Sequence, residues 1–121
     1  MPGDRPGTRD PHERIAQLRL LFLKRTVDEL SQLQQLTARA ENGEVQMLRD
    51  IEHLAHKIAG TSMTFGFESI SQHARALEQL VERAEDGTSR PPDAFELGRC
   101  VANLSEEVRL VAGRNGLAAS D

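Results

Sequence analysis

Two residues one helical turn apart, His56 and Gly60, have the types and spacing that could do chemistry in this chain. Apolar residues recur around them every three or four positions, which predicts an amphipathic helix. That apolar stripe consists of Leu48, Ile51, Ala55, Ile58, Ser62 and Phe65. At roughly 100° per residue, His56 lies about 140° from the middle of the stripe, so we expect it to face solvent. Because a mid-helix glycine costs about 1 kcal/mol relative to alanine, we interpret Gly60 as clearance that leaves His56 open to another protein's active centre.

The sequence around His56 carries a family resemblance. The run His56-x-Ile58-x-Gly60, followed by Thr64-Phe65-Gly66-Phe67, resembles the histidine-containing phosphotransfer (HPt) domain of bacterial phosphorelays. It is especially similar to the phosphotransfer domain at the start of the chemotaxis kinases, and the similarity continues without a gap through Ile70, Leu77 and Glu78. The resemblance implies an antiparallel four-helix bundle and a phosphoacceptor at His56.

Phosphoryl transfer to histidine needs a neutral imidazole with one nitrogen free to attack, and the partner of the other nitrogen selects the tautomer. An oriented carboxylate is a good partner. If the third helix lies antiparallel to the second, Glu78 can come level with His56. In the chemotaxis-type domains, the glutamate at the matching position is such a partner. We therefore predict that Glu78 orients His56; the alternative is an ordinary solvated glutamate.

Two positions depart from the family pattern. The family's lysine, three residues after the histidine, is Ala59 here, and Lys57 could substitute although it points about 100° round the helix from His56. The second histidine of the chemotaxis kinases, on the third helix, is Arg75. An arginine there could supply the lost positive charge and hold phosphoryl oxygens. Lys57 and Arg75 are thus the candidates for phosphoryl stabilisation, and either could instead be a plain solubility charge.

Composition limits the classes of protein. The chain has 121 residues, enough for one domain, and its only aromatic residues are four Phe. A net charge of −4 argues against a nucleic-acid partner. No apolar run approaches the roughly 20 residues that span a bilayer, and the single Cys100 cannot form an internal disulfide. We therefore expect a cytoplasmic monomer without a membrane or nucleic-acid partner, and Cys100 as a small core or boundary residue.

Helix signals divide the chain into four segments. We predict a disordered arm at residues 1–10, an HPt-like up-down bundle at residues 11–113 and a flexible tail at residues 114–121. Asp10 and Pro11 suit the start of a first helix, which ends at Asn42-Gly43. Polar residues interrupt its apolar stripe near residues 25–28, so a kink or a split into two helices is considered there. The second helix is predicted from Glu44 to Phe65, the third over residues 67–85, and the fourth from a cap at Ser89 to about Ala112.

Each of these helices has a predicted buried stripe. The stripe of the first consists of Ile15, Leu18, Phe22, Leu30, Leu33 and Leu36. That of the third consists of Phe67, Ile70, Ala74, Leu77, Val81 and Ala84, and that of the fourth of Phe95, Val101, Leu104, Val108 and Val111.

The predicted function is a stand-alone phosphotransfer protein that relays a phosphoryl group through His56 between response-regulator receiver domains, or from a histidine kinase, including a hybrid kinase. The chain has no phosphate-binding loop, so no cofactor of its own is expected, and any Mg²⁺ would belong to the partner's receiver domain. His53 and His56 have a metal-ligand spacing, but no third ligand is obvious, so no metal is expected. With His12 and His73, His53 is interpreted as a surface residue.

The sequence is also compatible with two other functions. One is a non-catalytic helical adaptor that binds a receiver domain or a partner helix while His56 is incidental and Gly60 serves helix packing. The other, a helical DNA-binding module, is weaker because the sequence has no basic stripe.

Overall fold

A computed structural model of the protein describes residues 10–85 and 94–117, and every regular element in those two ranges is a helix. The helices are α1 (Pro11–Glu41), α2 (Met47–Thr64), α3 (Glu68–Glu85) and α4 (Ala94–Arg114). Each packs against two neighbours, in the ring order α1, α2, α3, α4 and back to α1. The predicted four-helix bundle is confirmed. None of the four helices is long and apolar enough to cross a membrane.

Local signals set both ends of α1 as predicted. The Asp10 carboxylate accepts a hydrogen bond from the His12 amide at 2.8 Å, and Gly43 takes a φ of 102° just after the helix ends. Between these ends α1 is continuous, so the split considered near residues 25–28 does not occur. Thr26 is buried there, and its hydroxyl donates to the Phe22 carbonyl at 2.8 Å. A polar residue that satisfies itself on its own helix can face the core without breaking the helix.

The helix α2 begins at Met47, three residues later than predicted. Residues 44–46 form a turn in which the Met47 amide bonds the Glu44 carbonyl and the Leu48 amide bonds the Val45 carbonyl. The Arg39 guanidinium also holds the Glu44 carboxylate at 2.8 Å, and this hydrogen bond lowers the pKa of Glu44. The turn is therefore part of the α1–α2 connection and not the first turn of α2.

Three residues join α2 to α3, and their geometry sets how the two helices pair. Gly66 has a φ of 81°, its amide bonds the Met63 carbonyl, and the Phe67 amide bonds the Ser62 carbonyl at 2.8 Å. This is a Schellman cap, which reverses the chain tightly. Because the connection is so short, α3 lies antiparallel against α2, and residues equally far from the turn come level with each other.

The core lies inside the ring of helices and follows the predicted stripes, with three corrections. Ile15, Leu18 and Phe95 were predicted to be buried and are exposed. The first two precede Phe22, the first buried residue of α1, and lie in the stretch of residues 11–21 that packs no side chain into the core. Phe95 lies about 200° round α4 from Leu97, which is buried in its place. Cys100 is a half-buried free thiol, and burial raises its pKa.

Some of the predictions concern residues that the structure does not describe. Residues 1–9, the whole linker of residues 86–93 with Ser89, and residues 118–121 lie outside the described residues, as does the side chain of Ala84. The fourth helix ends at Arg114 and is followed by a second Schellman cap, in which Gly116 has a φ of 84° and the Leu117 amide bonds the Ala112 carbonyl.

Candidate functional site

His56 lies in the second half of α2 and points away from the core. Its side chain is 76% exposed, whereas Ala55 and Ile58 on the neighbouring face are fully buried. The predicted orientation is therefore confirmed. Close to the histidine, α2 and α3 are joined by a hydrogen bond in which the buried Ser71 hydroxyl of α3 donates to the Ala59 carbonyl of α2 at 2.9 Å.

Glu78 of α3 contacts His56 directly. Its Oε2 lies 2.6 Å from the Nδ1 of His56, and its side chain is only 14% exposed. Because an ionised carboxylate can only accept hydrogen bonds, the imidazole must donate through Nδ1–H. In the neutral imidazole, the other ring nitrogen, Nε2, then carries a free lone pair on an exposed ring. The contact has the geometry of an oriented nucleophile.

Lys57 is paired on the other side of α2. Its Nζ lies 2.9 Å from the Oε2 of Glu29 on α1, and the Glu29 side chain is only 10% exposed. The lysine therefore lies towards α1 while His56 lies towards α3. Sequence reasoning missed Glu29, and no local signal marks it, since one glutamate in a long polar helix looks like any other.

Arg75 is the second candidate for phosphoryl stabilisation. It lies on α3 one turn before Glu78 and is exposed. Within the described ranges it makes no hydrogen bond or ion pair. Its guanidinium is therefore uncommitted to any of those residues, in contrast to the ammonium of Lys57.

Gly60 lies one turn after His56 and is exposed. A Cβ built on it would meet nothing within 4 Å, so the position is open space and not a close packing contact. The family's lysine position, Ala59, is buried against α3 instead. The structure thus leaves the surface beside His56 without a side chain, as the clearance interpretation requires, while the role of Gly60 stays a prediction.

A shallow cavity of about 360 Å³ surrounds the histidine. It is lined by Glu52, His53, His56, Glu78 and Glu82. Three carboxylates thus face the site, and sequence reasoning missed two of them. Glu82 could have been found, because it lies one turn after Glu78 on the same face of α3. The described lining of the cavity is therefore acidic and includes no lysine or arginine.

The remaining histidines are arranged differently. His53 is exposed and lines the same cavity. His73 donates through Nδ1 to the Ser69 carbonyl of its own helix at 2.8 Å, and His12 lies beside Asp10 at the start of α1. In the described part of the chain, no group of three or more His, Cys, Asp or Glu side chains is placed to hold a metal ion.

The fold and the histidine–carboxylate pair define a class of protein: a four-helix bundle that presents one oriented imidazole to solvent. The family model of the Hpt domain matches residues 17–107, so the chain belongs to the Hpt-domain family. This family has a phosphotransfer role in two-component signalling and interacts with receiver domains or histidine kinases. Comparison with curated proteins gives no significant match, nor does comparison with solved structures.

Proposed function

We propose that this chain is a phosphorelay intermediate that accepts a phosphoryl group on the Nε2 of His56 and passes it to a receiver domain. The observation that carries the proposal is the 2.6 Å contact between Glu78 and the Nδ1 of an imidazole that is otherwise exposed. A buried carboxylate next to a surface histidine restricts its tautomer, and the restriction is useful when Nε2 must act as a nucleophile.

The transfer step takes place between the imidazole of His56 and the donor's aspartyl phosphate. The Nε2 lone pair attacks the phosphorus of an aspartyl phosphate, the bond from phosphorus to the aspartate oxygen breaks, and the carboxylate leaves. The ring keeps its Nδ1 proton and becomes cationic, and the Glu78 carboxylate stabilises that charge. The same steps in reverse transfer the phosphoryl group from His56 to the aspartate of the next receiver. The first phosphorylation can also come from a phosphohistidine of a kinase. No nucleotide is needed on this chain.

The acidic lining of the cavity supports the proposal that the partner supplies the cation. Phosphoryl oxygens arriving at the cavity meet Glu52, Glu78 and Glu82. A Mg²⁺ ion in the receiver's own aspartate site would neutralise the transferred group. Exchange of the phosphoryl group with an aspartate would therefore take place while the receiver is docked, which also explains why the surface at Gly60 should be open. We infer that the protein acts by itself as a cytoplasmic monomer.

The test is phosphotransfer from receiver domains that carry radioactive phosphate. We expect label on the protein that is labile in acid and stable in base, and we expect His56→Gln to abolish it with unchanged helix content by circular dichroism. His53→Gln is the matched control, because His53 is exposed on the same helix and lines the same cavity. Label that survives in His56→Gln and disappears in His53→Gln would move the phosphoacceptor to His53.

The adaptor function makes a different prediction. If the unaltered protein binds several receivers in a titration and takes label from none of them, it is an adaptor and His56 has no chemical role. Binding and labelling should therefore be measured on the same receivers.

A further inference from the structure

The first three turns of α1, residues 11–21, project beyond the core of the bundle; we call them the α1 overhang. No residue in it is buried, and its apolar side chains Ile15, Leu18 and Leu21 are all exposed. The core ends at Phe22, which stacks on Phe65 and Phe67 with ring centroids 5.5 and 5.6 Å away. Arg19 and Leu20 in its last turn are half-buried, whereas Ile15 and Leu18 are about half exposed.

The overhang continues the pattern of a packed helix. Ile15, Leu18 and Phe22 are spaced by three and four residues, as the a and d positions of a coiled coil are. Of these three residues, Phe22 is buried in the core and Ile15 and Leu18 are exposed. Asp10 and Pro11 begin the helix, so the overhang is a formed helix, and within residues 10–85 and 94–117 nothing buries Ile15 or Leu18. The match to the family model begins only at residue 17.

Basic residues flank this stripe. With Ile15 at position a and Leu18 at position d, Arg14 and Arg19 occupy the adjoining g and e positions. Arg14 makes no ion pair within the described ranges. The guanidinium of Arg19 lies 4.5 Å from the centre of the Phe67 ring, and its Nε–H is buried without a hydrogen-bond partner among the described residues. Two arginines without a carboxylate partner among the described residues therefore border an exposed apolar strip, and one of them, Arg19, packs on the Phe67 ring.

We propose that the α1 overhang is a docking surface for an amphipathic helix of a partner protein, with apolar a and d residues and Asp or Glu beside them. The partner would extend the bundle, cover Ile15 and Leu18, and place carboxylates opposite Arg14 and Arg19. This inference does not depend on phosphotransfer at His56.

Charge and composition disfavour the other occupants. If two copies of this chain paired through their overhangs, a parallel pair would place Arg14 opposite Arg19. An antiparallel pair would place Arg14 opposite Arg14 and Arg19 opposite Arg19. The charges repel in both arrangements. Residues 1–9 contain Arg5 and Arg9 against a single Asp4, so they share the sign of the surface. Residues 118–121 have no large apolar side chain. The acidic balance of the whole chain disfavours an anionic membrane.

The test uses the full chain and two fluorescent 21-residue peptides with Leu at every a and d position. One peptide carries Glu at the e and g positions and the other Lys, so each repels itself. Fluorescence anisotropy should show binding of the Glu peptide and no binding of the Lys peptide. Raising the salt from about 0.05 to 0.5 M should weaken the binding, because exposed charges are screened.

Two substitutions locate the surface. Leu18→Asp should weaken binding of the Glu peptide at least tenfold. Leu110→Asp is the matched control, since Leu18 and Leu110 are both 49% exposed and Leu110 lies on α4, and it should bind as the unaltered chain does. Arg14→Glu should weaken binding of the Glu peptide and permit binding of the Lys peptide. Unchanged thermal melts of the three variants exclude unfolding as the cause.

Four outcomes would overturn the proposal. They are equal affinity for the two peptides, equal losses with Leu18→Asp and Leu110→Asp, binding to phosphatidylglycerol vesicles in preference to the Glu peptide, and a concentration-dependent dimer in sedimentation that Leu18→Asp abolishes. The third outcome would assign the overhang to a membrane and the fourth to a second copy of the chain.

Discussion

The Oε2 of Glu78 lies 2.6 Å from the Nδ1 of His56, in a pair that joins a largely buried carboxylate on α3 to an exposed imidazole on α2. The Schellman cap at Gly66 makes this pairing possible, because it sets α3 against α2 with a three-residue connection. Because the Glu78 side chain is only 14% exposed, its packing restricts its movement, and its contact in turn orients the His56 ring. The predictions below test how each neighbour of His56 contributes to transfer.

The first prediction concerns Glu78. We expect Glu78→Ala to slow phosphotransfer by about tenfold to a hundredfold without preventing receiver binding, since the imidazole would lose the partner that selects its tautomer. Single-turnover transfer rates and a binding titration on the same receiver separate the two effects. Glu82→Ala is the control, because Glu82 lines the same cavity without bonding His56. An unchanged rate in Glu78→Ala would make Glu78 an ordinary surface glutamate.

The second prediction concerns Gly60, where stability and function should separate. Because an added Cβ meets open space, we expect Gly60→Ala to raise the free energy of unfolding by up to about 1 kcal/mol. Gly60→Gln should melt no lower than the parent and lose most phosphotransfer, since its side chain would rise where a receiver must bring its aspartyl phosphate within roughly 3–3.5 Å of Nε2.

Gly113→Gln is the matched control for that substitution. Gly113 is also an exposed helical glycine with nothing within 4 Å of a built Cβ, and it lies on α4. The control should transfer normally. Unfolding of Gly60→Gln would show that this glycine serves packing, and normal transfer would place the docked receiver elsewhere.

The third prediction concerns the pair of Glu29 and Lys57. We expect Lys57→Met to lower the free energy of unfolding by about 1–3 kcal/mol, because the largely buried Glu29 carboxylate would lose its partner. The double variant Glu29→Gln with Lys57→Met should recover part of that loss, since a neutral amide is less costly to bury. Denaturant titrations of the four proteins form a double-mutant cycle. Additive effects would mean that the pair contributes nothing to stability.

The fourth prediction compares the two candidate cations. We expect Arg75→Gln to slow transfer more than Lys57→Met does, because Lys57 is held by Glu29 and Arg75 has no partner in the described ranges. Lys24→Gln controls for the loss of one positive charge, since Lys24 is an exposed residue of α1. If Lys57→Met is the slower variant in single-turnover assays, the lysine must leave Glu29 when phosphate arrives.

Sequence alone was sufficient for the features that local forces decide. The ends of α1 follow from Asp10, Pro11 and Gly43, and the outward direction of His56 follows from the spacing of its apolar neighbours. Caps and turns act over a few residues, and a helical period of 3.6 residues is the same in any fold. The level of Glu78 followed from the family resemblance together with the short α2–α3 connection, and its contact with His56 is present in the structure.

Only the tertiary structure decided which residues meet across helices and where the core ends. Ile15 and Leu18 belong to the same stripe as Phe22, yet only Phe22 is buried, because burial depends on how far the other helices extend. The pairing of Lys57 with Glu29, about 28 positions earlier in the chain, depends on how α1 is rotated against α2. Periodicity gives each helix a face but not its axial position or rotation relative to its neighbours, and those are set by the packing of the whole bundle.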